Sequence, residues 1–154
     1  MTILFISLKE TNNALKKGKK MEIFDGFISA IASELKIPFH KDGEGHYTAT
    51  IEFDNGRSQD MLVTLRRDEA GDRVINYHSE IMEVKTDMPD LYKYCLVLNN
   101  TFDYGSLALR GNTLVMYNSI LLEDCDPVRF IKSLIYIAAK ADELEEMLVK
   151  DDLH

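Results

Sequence analysis

Histidine and carboxylate side chains offer the most obvious chemistry in this chain, which would be metal binding. The four histidines are His40, His46, His78 and His154, and no two have the i, i+4 spacing that places two ligands on one helical face. His40 and His46 flank the acidic, glycine-containing segment 42–45, which could in principle hold an ion. Structural zinc usually requires thiolates or four converging ligands, so we interpret this segment as a plain loop with surface histidines. The sequence predicts no metal site and no cofactor.

A nucleophile activated by a neighbouring base is the second chemistry to consider. Ser79 follows His78 within a predicted strand, so the two side chains point to opposite faces and cannot form a nucleophile–base pair. Cys95 lies on the apolar face of a predicted helix, which favours a core position over a nucleophile. The glutamates within residues 143–146 lie on the exposed side of another predicted helix, where solvation leaves carboxylates without catalytic use. We predict no catalytic residues and no enzymatic activity.

Net charge argues against nucleic acids and membrane surfaces as partners. The chain has 154 residues with 26 acidic and 18 basic side chains, a formal charge of −8, which repels phosphate. No glycine-rich turn precedes a helix in the arrangement that cradles phosphates. The apolar start, residues 3–6, is too short for an export signal or a membrane span, and Cys95 and Cys125 are predicted to be free thiols. These features predict a cytoplasmic protein.

The domain organisation is simple. Residues 1–20 carry five lysines against one glutamate, and we interpret them as a basic N-terminal leader: a flexible segment, a basic arm or an upstream extension of the first helix. Residues 21–150 are expected to form one domain large enough to bury a core without disulfides or metals. Residues 151–154 are expected to be a tail.

Hydrophobic periodicity predicts the order helix, three strands, helix, two strands, helix. Asn55-Gly56 is a hairpin signal, Thr86 or Asp87 is expected to cap the second helix, and Asp126 precedes Pro127 as the cap of the third. Strands that occur in runs indicate an α+β fold: a twisted antiparallel sheet of five strands with helices packed on it. The helices are predicted over 22–36, 88–100 and 127–150, and the strands over 46–53, 59–67, 73–84, 104–110 and 113–122.

The layout of residues 21–150 resembles a known superfamily. The resemblance is carried by the stretches 104–109 and 114–117, by Leu121 and Asp126-Pro127, and by the small-residue stretch 138–145 that contains Ala141-Asp142. Together they resemble the type III secretion chaperone-like superfamily, which includes class I effector chaperones and the related YbjN-type domains. The basic leader before Met21 departs from the effector chaperones, which leaves the identity of the client open.

The resemblance implies a homodimer that binds an extended segment of a client protein, such as a secreted effector, and performs no chemistry. Dimers in this superfamily form largely through the second helix and the strand after it, so the dimer-interface candidates are Leu91, Tyr94, Leu98 and Leu107. The client-binding candidates are Phe24, Phe27, Ile28, Ile31, Met61 and Val63. For each of these residues, a purely structural place in the core is the competing interpretation. The alternative function is a YbjN-type regulatory or sensory domain that recognises a folded partner.

Overall fold

The computed structural model describes the backbone of residues 13–151 and the side chains of residues 23–149. The order of elements is α1 (Asn13–Leu35), β1 (Phe39–Gly43), β2 (His46–Glu52), β3 (Ser58–Arg67), β4 (Arg73–Glu83), α2 (Pro89–Asn99), β5 (Ser106–Arg110), β6 (Thr113–Leu121) and α3 (Pro127–Asp151). Because α1 begins at Asn13, the basic residues between Asn13 and Lys20 belong to the N-terminal part of this helix. Residues 1–12 of the predicted leader and 152–154 of the predicted tail lie outside the described residues, and these domain boundaries stay predictions.

The strands form a single antiparallel sheet in the order β1-β2-β3-β4-β6-β5. The first four strands are a meander, in which Gly56 (φ 82°) makes the β2–β3 turn and Phe53 N donates to Arg57 O over 2.9 Å. After β4 the chain crosses through α2 to the far edge, returns along β6 beside β4, and enters α3. The α+β prediction is confirmed.

The helix α3 covers the sheet. Asp126 Oδ1 accepts from Val128 N at 2.8 Å, so the predicted cap is present, and Pro127 is the first helical residue. The α3 side chains that face the sheet are fully buried, and the Phe130 ring packs edge-on against Tyr77 of β4 with centroids 5.1 Å apart. In the second half of α3, Asp142 accepts from Arg57 Nε at 2.8 Å, which ties the β2–β3 turn to the helix.

Two local predictions were wrong. The segment expected as a plain loop after the first helix contains β1, a sixth strand whose residues are mostly exposed. It escaped the pattern because an edge strand of five residues has no alternating buried face to reveal it. The cap of α2 is Met88 and makes no side-chain hydrogen bond, so neither Thr86 nor Asp87 serves that role. Within the described residues, every helix is too short or too polar to cross a membrane.

Candidate functional site

The helix α2 leaves an unusual share of its apolar residues uncovered. Leu91 and Cys95, one turn apart, are 9% and 7% exposed and pack against the sheet. Leu96 and Val97 fall on the opposite side of the helix and are 71% and 61% exposed. An ordinary surface helix would place charged or polar residues at these two positions.

Asn99, the last residue of α2, fixes the helix to the edge strand β5. Its side-chain amide nitrogen Nδ2 donates to Leu107 O over 3.2 Å, and Leu107 N donates to Asn99 Oδ1 over 2.6 Å. The side chain therefore takes the place of a neighbouring strand at this position. Along an antiparallel edge strand, the backbone N–H and C=O groups of every second residue point away from the neighbouring strand. Leu109, two residues after Leu107, is therefore the next residue of β5 whose backbone groups point away from β6.

A shallow groove of about 210 Å³ lies between α2 and β5. It is mostly apolar, and Leu109, which is 44% exposed, borders it on the strand side. We call the exposed Leu96 and Leu109 together with this groove the α2–β5 surface. Side chains from both elements and from β6 line the groove: Tyr92, Cys95, Leu96, Asn99, Leu107, Ala108, Leu109 and Leu114.

The entry to β5 is fixed by a close approach of the backbone. Gly105 has φ 72°, and a Cβ built there would lie 2.5 Å from Tyr117 O and 2.4 Å from Ile137 Cδ1. Only glycine satisfies both the positive φ and the missing space. The position of β5 against β6 and α3, and with it the position of the α2–β5 surface, is therefore closely determined.

The other edge of the sheet, β1, is polar. Lys41 Nζ lies 2.8 Å from Asp25 Oδ2 of α1, and Tyr47 of β2 donates its hydroxyl to Asp25 Oδ1 at 2.5 Å. Burial raises the pKa of Tyr47, and the Asp25 carboxylate raises it further. The three side chains tie α1 to the first two strands. Leu35, Ile37 and Phe39, at the end of α1 and the start of β1, are partly buried and pack on the core. Phe27 of α1 lies elsewhere, with its ring edge-on to Phe130 of α3 at 5.5 Å between centroids.

The residues with potential chemistry do not come together. His78 Nδ1 lies 3.1 Å from Arg110 Nη1, while Ser79 donates its hydroxyl to Asp60 O. Burial, assisted by Arg110, lowers the pKa of His78 to about 4, and burial raises the pKa of the Cys95 thiol. A neutral buried histidine and a protonated buried thiol both have structural roles here. Across the described residues no three histidine, cysteine or carboxylate side chains converge on a possible metal position.

The predicted site residues divide into buried and accessible ones. Of the dimer-interface candidates, Leu91 and Leu107 are buried, Leu98 is half-buried and Tyr94 is 42% exposed, and all four belong to α2 or β5. Of the client-binding candidates, only Phe27 is partly accessible. The other five are at most 1% exposed, within the core between α1 and the sheet: Phe24, Ile28, Ile31, Met61 and Val63.

Sequence reasoning missed the exposed apolar residues of α2 and β5, Leu96, Val97 and Leu109. The signal was present, because Leu96 and Val97 are apolar but out of phase with the stripe of Leu91 and Cys95. An apolar residue outside the core stripe has no partner within its own chain. Leu109 carried no such signal, since alternation along a strand does not tell an edge from a central position.

Comparison with solved structures identifies the fold. A chain in the crystal structure of the ExsC–ExsE complex superposes with a TM-score of 0.61 at 12% identity, covering 83% of this chain and 95% of that chain. A chain in the structure of the HopA1–SchA chaperone–effector complex superposes with a TM-score of 0.57 at 14% identity, covering 83% of this chain and 97% of that chain. No protein-family model and no curated protein sequence matches this chain. The chain has the type III secretion chaperone-like fold, and the resemblance predicted from the sequence is confirmed at the level of the fold.

Proposed function

We propose that this chain is a chaperone-like, non-enzymatic protein-binding module that forms a homodimer and holds an extended segment of a client protein. The observation that carries the proposal is the α2–β5 surface, where Leu96 and Leu109 are exposed beside an apolar groove. A soluble protein rarely leaves such residues in one place unless a partner covers them. The fold is shared with chains of the ExsC–ExsE complex and of a chaperone–effector complex, which supports a protein partner.

The α2–β5 surface suits a second copy of the chain. It combines an apolar helix face with an apolar strand edge. Two copies related by a twofold axis would each cover the other's Leu96 and Leu109. Asn99 already occupies the outward backbone groups of Leu107, which leaves little of the β5 edge for an added strand. Side-chain packing, more than backbone pairing, would hold such a dimer together.

The β1 edge suits the client. An edge strand presents unpaired backbone groups, and an extended segment can add to it as a further strand. The partly buried residues next to this edge, Leu35, Ile37 and Phe39, would receive alternate side chains of the segment. Phe27, the client-binding candidate that remains partly accessible, packs against Phe130 of α3 instead. The buried candidates Phe24, Ile28 and Ile31 would then hold α1 in place without contacting the client.

The proposal is tested by two measurements on the full chain. Sedimentation velocity should give the mass of a dimer. When the chain is co-purified from its native cells, limited proteolysis should protect one continuous segment of a single client while the rest of that client is cut. A monomer, or a preparation without any bound polypeptide, would overturn the proposal.

The proteolysis pattern also tests the regulatory alternative. A regulator of the YbjN type would recognise a folded partner, whose protected regions are scattered along its sequence because they reflect the partner's own fold. A client held in extended form is protected only where it contacts the chaperone. Protection at scattered sites would reject the chaperone-like proposal in favour of the regulatory one.

A further inference from the structure

A basic cleft lies between the first two turns of α3 and the strands β4 and β6 that these turns cover. Its volume is about 460 Å³, within the range of small-ligand sites of about 300–1,000 Å³. Arg129 and Lys132 of α3 line it, and no carboxylate from the described part of the chain does. The cleft is therefore lined by positive charge alone, on a chain whose net charge is −8.

The two cations occupy positions that the helix itself does not favour. Arg129 is the third residue of α3, near the positive end of the helix dipole, where negative side chains are normally preferred. Lys132 follows three residues later on the same side of the helix, so the two like charges repel each other. The carboxylate of Asp126 accepts from the backbone amides of Val128 and Arg129. Within residues 23–149, neither cationic side chain forms an ion pair, and an anion in the cleft would relieve the repulsion.

The floor of the cleft provides a second, independent observation, which is a directed chain of hydrogen bonds that begins at a spare donor. Tyr77 of β4 and Asn118 of β6 are opposite each other on the face of the sheet that α3 covers. Ser133 gives its single hydroxyl proton to Phe130 O over 3.0 Å, so the buried Tyr77 hydroxyl donates to Ser133 Oγ. Tyr77 in turn accepts from Asn118 Nδ2 over 2.9 Å. The second N–H of Asn118 Nδ2 is not used by the described residues, and a ligand in the cleft can accept it.

The cleft fits a carboxylate on an organic stem better than an inorganic anion. The guanidinium of Arg129, the ammonium of Lys132 and the spare amide N–H can only donate, and an ionised carboxylate can only accept. The walls beside these donors are apolar: Ile120 is partly buried and packs on the core, and the Tyr104 ring is edge-on to Tyr136 with centroids 5.3 Å apart. Methylene groups that carry a carboxylate would be covered by these walls, whereas free phosphate has no apolar part to bury.

We propose that the basic cleft binds the carboxylate of an aspartate or glutamate side chain of a bound polypeptide. The inference rests on the proposed protein-binding function and adds a chemical preference to it. In the sheet, β4 is three places away from β1, so this acidic residue lies outside the client segment held at the β1 edge. Because the net charge of −8 repels acidic residues from the rest of the surface, the cleft would determine where along the client such a residue is accepted.

The test uses the full chain, labelled with ¹⁵N, and the tripeptide Ac-Gly-Glu-Gly-NH₂ in a buffer of low ionic strength. The peptide should shift the backbone amide signals of Asn118 and of residues 129–133. The matched peptide with glutamine, which keeps the shape of glutamate without its charge, should shift none of them. Lys132→Gln should weaken the binding of the glutamate peptide roughly two- to fivefold, the worth of one accessible ion pair.

Lys85→Gln is the control variant, because it removes the same charge at an exposed position outside the cleft. It should leave the affinity unchanged. The inference would be overturned by the absence of shifts, by equal shifts from the two peptides, by equal losses in the two variants, or by shifts from inorganic phosphate but not from the glutamate peptide. Since the titration needs no client, a negative result leaves the proposed function standing, and failure of the client experiment does not affect the titration.

Discussion

The two edges of the sheet differ in what they offer to another protein. At the β5 edge, Asn99 occupies the outward backbone groups of Leu107, and Leu96 and Leu109 provide exposed apolar side chains. At the β1 edge, the strand is exposed and polar, and its Lys41 forms an ion pair with Asp25 of α1. One edge is suited to side-chain packing and the other to backbone pairing.

This difference separates the two kinds of contact that a dimeric chaperone-like protein requires. A contact between identical copies always joins the same two surfaces, so apolar burial can stabilise it without having to accommodate other sequences. A contact with an extended client must accept various sequences, and backbone hydrogen bonds are the same for all of them. Damage to one edge should therefore leave the contact made by the other edge intact.

The largest expected effect comes from charging the β5 edge. The double substitution Leu96→Glu and Leu109→Glu removes two apolar side chains, each worth about 1.5 kcal/mol or more when buried. The dimer dissociation constant should therefore rise at least about 100-fold, as measured by sedimentation equilibrium. Circular dichroism should show an unchanged fold, because both positions are exposed in the single chain.

Val128→Glu is the matched control for that measurement. Val128 is 72% exposed in the first turn of α3, so the substitution introduces one glutamate at an apolar position that is as accessible as Leu96 but outside the α2–β5 surface. If Val128→Glu weakens the dimer as much as the double substitution does, the dimer contact is not at the β5 edge.

Local features of the fold could be predicted from the sequence, but the residues that remain exposed for a partner could not. Asp126-Pro127 and Asn55-Gly56 were correctly predicted because caps and tight turns depend on a few neighbouring residues. The client-binding candidates were chosen from apolar stripes, and a stripe reports only that a face is covered. Whether the chain or a partner covers it depends on tertiary packing, and the structure places Phe24 and Met61 in the core.

The edges themselves could not be predicted from local pattern. The strand β1 has the sequence Phe-His-Lys-Asp-Gly, with no apolar alternation, and forms only because β2 offers it a partner. Leu109 is likewise exposed because the crossover places β5 at the edge of the sheet, next to β6. Position in a sheet follows from non-local pairing, which the order of residues along one strand does not encode.

A moderate effect is expected from Asn99→Ala. The substitution leaves Leu107 N and Leu107 O without their present partners, and a loss of this kind costs about 1–3 kcal/mol. Urea unfolding should show that decrease, and the Leu107 amide should exchange its proton faster. Asn100→Ala, at the adjacent and exposed cap position, should change neither quantity. Equal decreases in the two variants would mean that Asn99 acts through the helix and does not protect the strand edge.

The smallest effect is expected at the β1 edge, from Asp25→Asn. Burial alone would raise the pKa of Asp25, but hydrogen bonds from Lys41 and Tyr47 outweigh it and lower the pKa below its ordinary value of 3.8. A lowered pKa in the folded chain contributes stability above the ordinary pKa, and this contribution is lost as the pH falls through the folded value. Because the ion pair is partly exposed, we expect a contribution below about 1 kcal/mol at pH 7.

The stability difference between the original chain and Asp25→Asn should therefore be largest at neutral pH and shrink below pH 4. Urea unfolding between pH 7 and pH 3 measures it, with Asp54→Asn, an exposed aspartate in the β2–β3 turn, as the control. A difference that stays constant with pH would mean that the Asp25 carboxylate acts through packing and not through charge. The β1 edge would then be held to α1 by packing, whereas the hydrogen bonds of Asn99 hold the β5 edge to α2.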